Sequence, residues 1–375
     1  MTKPVEHLLS LLRSSLWGAP FDLRGQVWTH AQYLPVMQLA KQQAVAGLVA
    51  QALMASGVKL ERQDALEVYT LTRNIRQRNE QMDDAVVQLC QLLEGQGIRF
   101  LVFKGQTLSA LYPDGGLRQS GDIDFICHPD DWSRAAAFFC QKWGVTLDDS
   151  TTEKDVQFQY EGVVYELHKK LTVFTYPSHQ RYWDEVVMPE IWSNPYSLTI
   201  KGQDVPTLSP TYNILYVFVH IFHHLISDGI GLRQFCDWAI LLTSCVGWPH
   251  DKKLNGFAPT LLQKHLEGIG LTRAYTGLGA ILTLYLQVPS FVLKVTDDDC
   301  RRAPSLFQNM LEMGNFGHNK SYSQERGVLH GVQHLRRITL QARRFYHYAP
   351  AEALWHVPYM FRWWCKKLWK LISRR

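Results

Sequence analysis

The segment Gly121-Asp122-Ile123-Asp124-Phe125 constrains the fold more than any other stretch of the chain. Side chains alternate along a strand, so Asp122 and Asp124 project from one face while Ile123 and Phe125 enter a core on the other. Two like charges held this close repel each other, and a hard divalent cation between them removes the repulsion. Taken alone, such a pair also fits a solvated strand edge. The sequence around it decides between the two readings.

The strand sits in a mixed α/β stretch between helical flanks. From about Tyr69 to Glu94, Leu71, Ile75, Met82, Val86, Leu89 and Leu93 recur at three- and four-residue steps, the stripe of a helix packed on a core. Gly95 and Gly97 stop it. Ile98 to Phe103 then reads as a buried strand, Lys104-Gly105 as a turn, and Gln106 to Tyr112 as a short helix closed by Pro113 to Gly116. After the carboxylate strand Asp122–Cys127 come a helix from about Pro129 to Trp143 and a β-rich stretch from Val156 to His168. Helical patterns return at Thr211 to Ile226 and Leu232 to Cys245, with loops near residues 251–259 and 314–326. The expected division is a helical region at 1–97, an α/β core at 98–208 and a helical region at 209–375. The fold class is therefore α+β, a small mixed sheet flanked by helices at both ends.

With 39 basic and 34 acidic residues, the net charge of +5 is too small an excess for a surface that wraps nucleic acid. The seven cysteines contain no CxxC pair, which fits a reducing compartment. The opening MTKPVEHLLSLLRSSLWG carries Glu6 and Arg13 within its apolar run and reads as a helix, and the most apolar stretch, Tyr212 to Ile226, holds three histidines and is too short for a bilayer span. The expected location is cytoplasmic. One local feature adds the inner face of a membrane as a second option. From Arg362 to Arg375 the tail holds Arg362, Lys366, Lys367, Lys370, Arg374 and Arg375 and no acid, with Phe361, Trp364, Leu368, Leu371 and Ile372 on another side of the helix. This is the composition of a basic amphipathic helix at an anionic membrane surface, and equally of a terminal helix docked on its own domain.

The order of blocks around the DxD strand resembles the nucleotidyltransferase superfamily with the polymerase-beta-like fold. FKGQTLSALYPDGGLRQSGDIDF, from Phe103 to Phe125, resembles more closely a branch of uncharacterised bacterial nucleotidyltransferases. The later blocks Glu166-Leu167-His168, His220-Ile221-Phe222-His223-His224 and Gly231-Leu232-Arg233 with Asp237 follow in the same order, so the resemblance spans roughly Tyr69 to Thr243. Gln106 departs from the wider superfamily, which places a second small residue after the glycine.

This resemblance implies a third metal carboxylate at Glu166, on a strand where Val164, Glu166 and His168 share one face. It implies two Mg2+ or Mn2+ ions and a nucleoside triphosphate substrate. The reaction is transfer of a nucleoside monophosphate to an unidentified hydroxyl acceptor, with pyrophosphate leaving. Lys104, Gly105 and Arg118 are the implied triphosphate contacts, and Arg233 is a secondary one. His168 is a candidate to orient a metal carboxylate, and His220, His224 and Asp237 stand behind the site. As zinc ligands His220 and His224 lack a third partner in the sequence, and Arg233 and Asp237, four apart, read most simply as an intrahelical ion pair. The competing function is a catalytically inactive nucleotide-binding or scaffold protein, peripheral to the membrane, in a surface-polysaccharide or related pathway.

Overall fold

The computed structural model describes residues 1–145, 154–227, 229–249, 253–315 and 328–372. Helix α1 (Lys3–Trp17) buries Leu8, Leu9, Leu11, Leu12 and Leu16, the helix expected at the start of the chain. The two-residue strand β1 (Val27–Trp28) precedes α2 (His30–Gln42) and α3 (Ala46–Ala55), and β2 (Lys59–Leu60) pairs with β1 in parallel. Helix α4 then runs the full length of the striped segment and beyond, Arg62–Gly95.

The central sheet follows the expected strands: β3 (Phe100–Phe103), β4 (Asp122–Cys127), β5 (Asp155–Tyr160) and β6 (Val163–His168). Their order is β3-β4-β6-β5, with β4 and β6 parallel and the outer pairings antiparallel, so the sheet is mixed. The turn after β3 opens a single helical turn, α5 (Gly105–Ser109), and β4 leads into α6 (Trp132–Trp143).

Beyond the sheet, α7 (Pro177–Tyr182) passes through one π turn, residues 183–187, into α8 (Met188–Ser193). Strands β7 (Tyr196–Ile200) and β8 (Gln203–Thr207) form a separate hairpin, which the sequence reading does not include. Its turn residues Lys201 and Gly202 both have positive φ, 48° and 81°, as a two-residue hairpin turn requires. The last elements are α9 (Pro210–Ser227), α10 (Leu232–Val246), α11 (Pro259–Gly268), α12 (Thr272–Leu286), α13 (Asp297–Met313), α14 (Val328–Phe345) and α15 (Pro350–Ile372). The loop expected near 251–259 is observed over residues 253–258, up to the start of α11, whereas the loop expected near 314–326 falls largely outside the described residues, as do the tail side chains beyond Arg362.

Two apolar clusters form on opposite sides of the sheet. On one side Val102, Ile123, Phe125, Cys127, Tyr165 and Leu167 pack with Met82, Val86 and Leu89 of α4 and Phe139 of α6. On the other, Phe103 and Ile126 join a cluster drawn from both ends of the chain, including Leu12 and Leu16 of α1 and Leu282 and Leu286 of α12. The Trp17 indole donates to the Leu286 carbonyl at 2.6 Å across that junction. The period-two reading of β4 therefore holds: the apolar positions face α4 and α6, and the carboxylates face α9 and α10. Among the described residues no helix is long and apolar enough to cross a membrane.

Candidate active site

The parallel register of β4 on β6 pairs Asp124 with Glu166, Asp122 with Val164 and Ile126 with His168. Adjacent parallel strands lie about 4.8 Å apart, so paired residues with the same facing bring their side chains together. Asp124, Glu166 and His168 each offer a ligand atom within 4.8 Å of the others, a group that could hold a metal ion. Asp122, one repeat along the strand, is outside this group and lines the adjoining cleft with Asp124.

Asp124 is the most tightly held member. Its Oδ1 accepts from the Lys104 ammonium at 3.0 Å and lies 2.9 Å from His168 Nε2. Burial alone raises a carboxyl pKa, but Lys104 and His168 override it and hold Asp124 ionised well below the usual carboxylate range. Asp122 goes the other way: burial, then the charges of Asp124 and Glu166, push its pKa up to about 6, against the pull of Lys104 and Arg233. Glu166 keeps 24% of its side chain exposed, with His168 Nε2 at 3.5 Å.

Lys104 reaches the carboxylate through an unusual backbone conformation, φ 56° and ψ −142°, and Gly105 follows at φ 36°. Such a residue costs on the order of 1–3 kcal/mol unless its surroundings fix it. Here the Lys104 carbonyl accepts from Thr107 Oγ1 at 2.7 Å and from the Leu108 amide at 3.2 Å, and its ammonium lies over the Phe103 and Tyr216 rings. A Cβ on Gly105 would come 3.4 Å from the Asp122 carbonyl. The glycine thus lets the turn pass close to the carboxylate strand. Gln106 turns away from the cleft: its Nε2 donates to Asp83 Oδ1 of α4 at 2.5 Å, so the larger residue in this position anchors α5 to α4 and leaves the turn open.

The two arginines of the cleft are arranged differently from each other. Arg118 is buried and grips Asp237 with two bonds, Nε to Oδ1 at 2.6 Å and Nη2 to Oδ2 at 2.8 Å, while Nη1 donates to Ser120 Oγ at 2.8 Å. Tyr112 donates to the same carboxylate at 2.7 Å. The intrahelical pair expected between Arg233 and Asp237 is not formed, because Asp237 is taken by Arg118 from the far side of the cleft. Arg233 instead donates through Nη1 to the Gln119 carbonyl at 2.8 Å, and its Nε is buried without a hydrogen-bond partner among the described residues. Burial, then the nearby Arg118 charge, lowers its pKa. Arg118 thus enters the cleft already paired with a carboxylate, and Arg233 enters without one.

The cleft between these groups is narrow, with about 40 Å³ of space that water can reach, and is walled by Lys104, Gly105, Asp122, Asp124, His220 and Arg233. His220 is desolvated, and burial, then Lys104, pushes its pKa well below the usual value, so it is neutral. His224 packs against it, ring centroids 4.4 Å apart, and is pushed down to about 3 by burial and then by Lys154 and Lys104. Neither belongs to the metal-capable group.

Sequence reasoning missed Lys154 and the supports of the loop before β4. Lys154 precedes β5, and its carbonyl accepts from the Lys169 and Lys170 amides at 2.7 and 3.2 Å, next to the end of β6. Burial, then the Lys104 charge, lowers its pKa, while Asp124, Asp155 and Glu166 oppose this. Only the folding of β5 onto β6 brings it within electrostatic reach of the carboxylates. The loop itself is held by α4: Asn79 Nδ2 donates to the Gly116 and Arg118 carbonyls at 2.9 and 2.8 Å, and Arg76 pairs with Asp114.

A crystal structure of an antigenic nucleotidyltransferase-like protein from Paracoccidioides brasiliensis is similar at 16% identity, covering 57% of this chain and 97% of that one, with a TM-score of 0.35. Among curated protein sequences none matches. Residues 30–253, well over half of the chain and all of the residues just described, match the profile of a family described as uncharacterised nucleotidyltransferase. The chain belongs to that nucleotidyltransferase family.

Proposed function

We propose that this protein transfers a nucleoside monophosphate from a nucleoside triphosphate to a hydroxyl acceptor and releases pyrophosphate, with Asp122, Asp124 and Glu166 holding two Mg2+ or Mn2+ ions. The observation that carries this reading is the register of β4 on β6, which sets Asp124 beside Glu166 at the edge of a cleft lined by Asp122, Lys104 and Arg233. The donor set fits such ions: carboxylate oxygens suit hard cations, and burial, then the charges of Asp124 and Glu166, raises the pKa of Asp122, a cost that a bound cation would offset. Bound there, the ions supply polarisation of the α-phosphate and neutralise charge on the leaving pyrophosphate.

The chain's own groups then have distinct tasks. His168 and Lys104 fix the orientation of Asp124, as outer partners of metal carboxylates do. Arg233 and Lys154, neither held by a carboxylate bond among the described residues, are the cations assigned to triphosphate oxygens, where charge-assisted bonds are strongest. Arg118 acts through Asp237 and Ser120, holding the loop before β4 against α10. His220, being neutral, offers the cleft a hydrogen bond without adding charge.

A second reading, nucleotide binding without turnover, draws on one observation: Lys104 and His168 both engage Asp124 Oδ1. One experiment separates the two. Protein incubated with each α-labelled triphosphate, Mg2+ or Mn2+ and cell extract is expected to transfer label, and Asp124→Asn and Lys154→Met to lose or reduce that transfer. Triphosphate binding with no transfer under any combination favours the second reading, and transfer that persists unchanged in Asp124→Asn refutes the proposed site.

A further inference from the structure

The chain's charge is distributed unevenly. Residues 328–375 carry ten Lys and Arg against one acid, whereas residues 1–327 hold 29 basic and 33 acidic side chains. The positive net charge thus resides in α14, α15 and the residues after them, and the body of the protein is acidic. The one acid of this segment does not offset the surface charge, because Glu352 is buried. Its carboxylate accepts from the Thr175 amide at 2.9 Å and from Thr175 Oγ1 at 2.6 Å, with His179 Nδ1 at 2.8 Å.

That buried contact fixes which side of α15 faces the core. Glu352, Ala353 and His356 point inward, and the other side presents Leu354 at 61% exposure, Trp355 at 46% and Phe361 at 54%, followed by exposed Arg362. Helix α14 and the turn after it repeat the composition. Leu340 and Tyr346 are 57% and 52% exposed, beside exposed Arg336, Arg343 and Arg344. Among the described residues none of these four arginines forms an ion pair with a carboxylate. Large exposed aromatic and aliphatic side chains next to unpaired cations are unfavourable in water and favourable at one kind of boundary, the headgroup layer of an acidic bilayer. There the apolar side chains enter the acyl boundary and the cations meet lipid phosphate.

We infer that the α14–α15 hairpin is a peripheral docking surface for an anionic phospholipid bilayer. Each near-surface cation contributes roughly fivefold in partitioning, and the term is screened by salt. The acidic body is repelled from the same surface, so the charge asymmetry orients the docked protein with the hairpin toward lipid. The six basic residues from Arg362 to Arg375 extend the cationic segment.

The test uses full-length protein cosedimented with vesicles of phosphatidylcholine alone or mixed with phosphatidylglycerol, at low and high salt. Selective binding to the mixed vesicles, weakened by salt, is expected. The triple variant Arg343→Glu, Arg344→Glu, Arg362→Glu should weaken binding by at least ~100-fold, by the per-cation factor above. Leu354→Ser with Phe361→Ser should weaken binding that high salt leaves behind. Circular dichroism and melting curves that match the parent protein establish that both variants fold. No binding to either vesicle, or equal and salt-independent binding to both, overturns the inference. So does a concentration-dependent dimer that either variant abolishes, which assigns the face to a second copy, or retention of nucleic acid with no retention of lipid.

Discussion

Asp122 carries a cost that Lys104 and Arg233 offset only in part. Its pKa rises from 3.8 to about 6, so at neutral pH the fold holds an ionised carboxylate in a site that favours the neutral form. The sign follows from linkage. Between pH 3.8 and about 6 the folded protein binds more protons than the unfolded chain, so stability from this group falls as pH rises through that window and stays lost above it. Asp122→Asn is therefore expected to stabilise the protein in chelator at pH 7.5, by at most about 3 kcal/mol. It should also diminish the rise in melting temperature that Mg2+ gives the parent. Calorimetry with and without Mg2+ checks both, and a lower melting temperature in chelator contradicts the account. The two arginines give an opposite pair of expectations. Arg118→Ala leaves Asp237 buried without its cation and should cost about 3–5 kcal/mol of stability. Arg233→Ala removes a buried charge that has no carboxylate hydrogen bond among the described residues, so stability should change little while KM for the triphosphate rises. Denaturant melts and steady-state kinetics on the two variants distinguish these outcomes.

Among the elements, α4 and the turn after β3 do the positioning. Helix α4 buries one stripe against the sheet and presents Arg76, Asn79 and Asp83 to the polar segments around the cleft. Asn79→Ala frees two loop carbonyls, at about 1–3 kcal/mol, and should weaken triphosphate binding through a loop that no longer holds Arg118 in place. Titration with a non-hydrolysable triphosphate and magnesium measures this; unchanged affinity with unchanged stability contradicts it. The stripe on α4 and the alternation on β4 were legible because each repeats over many residues. The β7–β8 hairpin is legible in principle from Lys201-Gly202 between alternating runs, but proline at position 206 and short strands dilute that signal. The short α5 is set by Gly105 and by its anchor on Asp83.

At the scale of the molecule, the family-matched segment 30–253 is narrower than the structure that supports it. Helices α1 and α12 lie outside it and share one apolar cluster with α9 and α10, which roof the cleft. A protein trimmed to residues 30–253 should expose the α9 and α10 surfaces, lose cooperative unfolding and aggregate, while the full chain melts in a single transition over the cleft and helices together. Calorimetry and light scattering on the trimmed form test this, and a soluble, cooperative fragment would contradict it. The sequence by itself determined the strands of the central sheet, the facing of Asp122 and Asp124 and the basic composition of the tail, because each follows from local periodicity or local composition, while Glu166 was marked by the family resemblance. Tertiary structure alone decided the rest. Which strand lies beside β4, that Asp237 pairs with Arg118 and not with Arg233, that Lys154 reaches the carboxylates, and that Glu352 sets the outward face of α15 are contacts between residues far apart in sequence. Their geometry depends on how the whole chain packs.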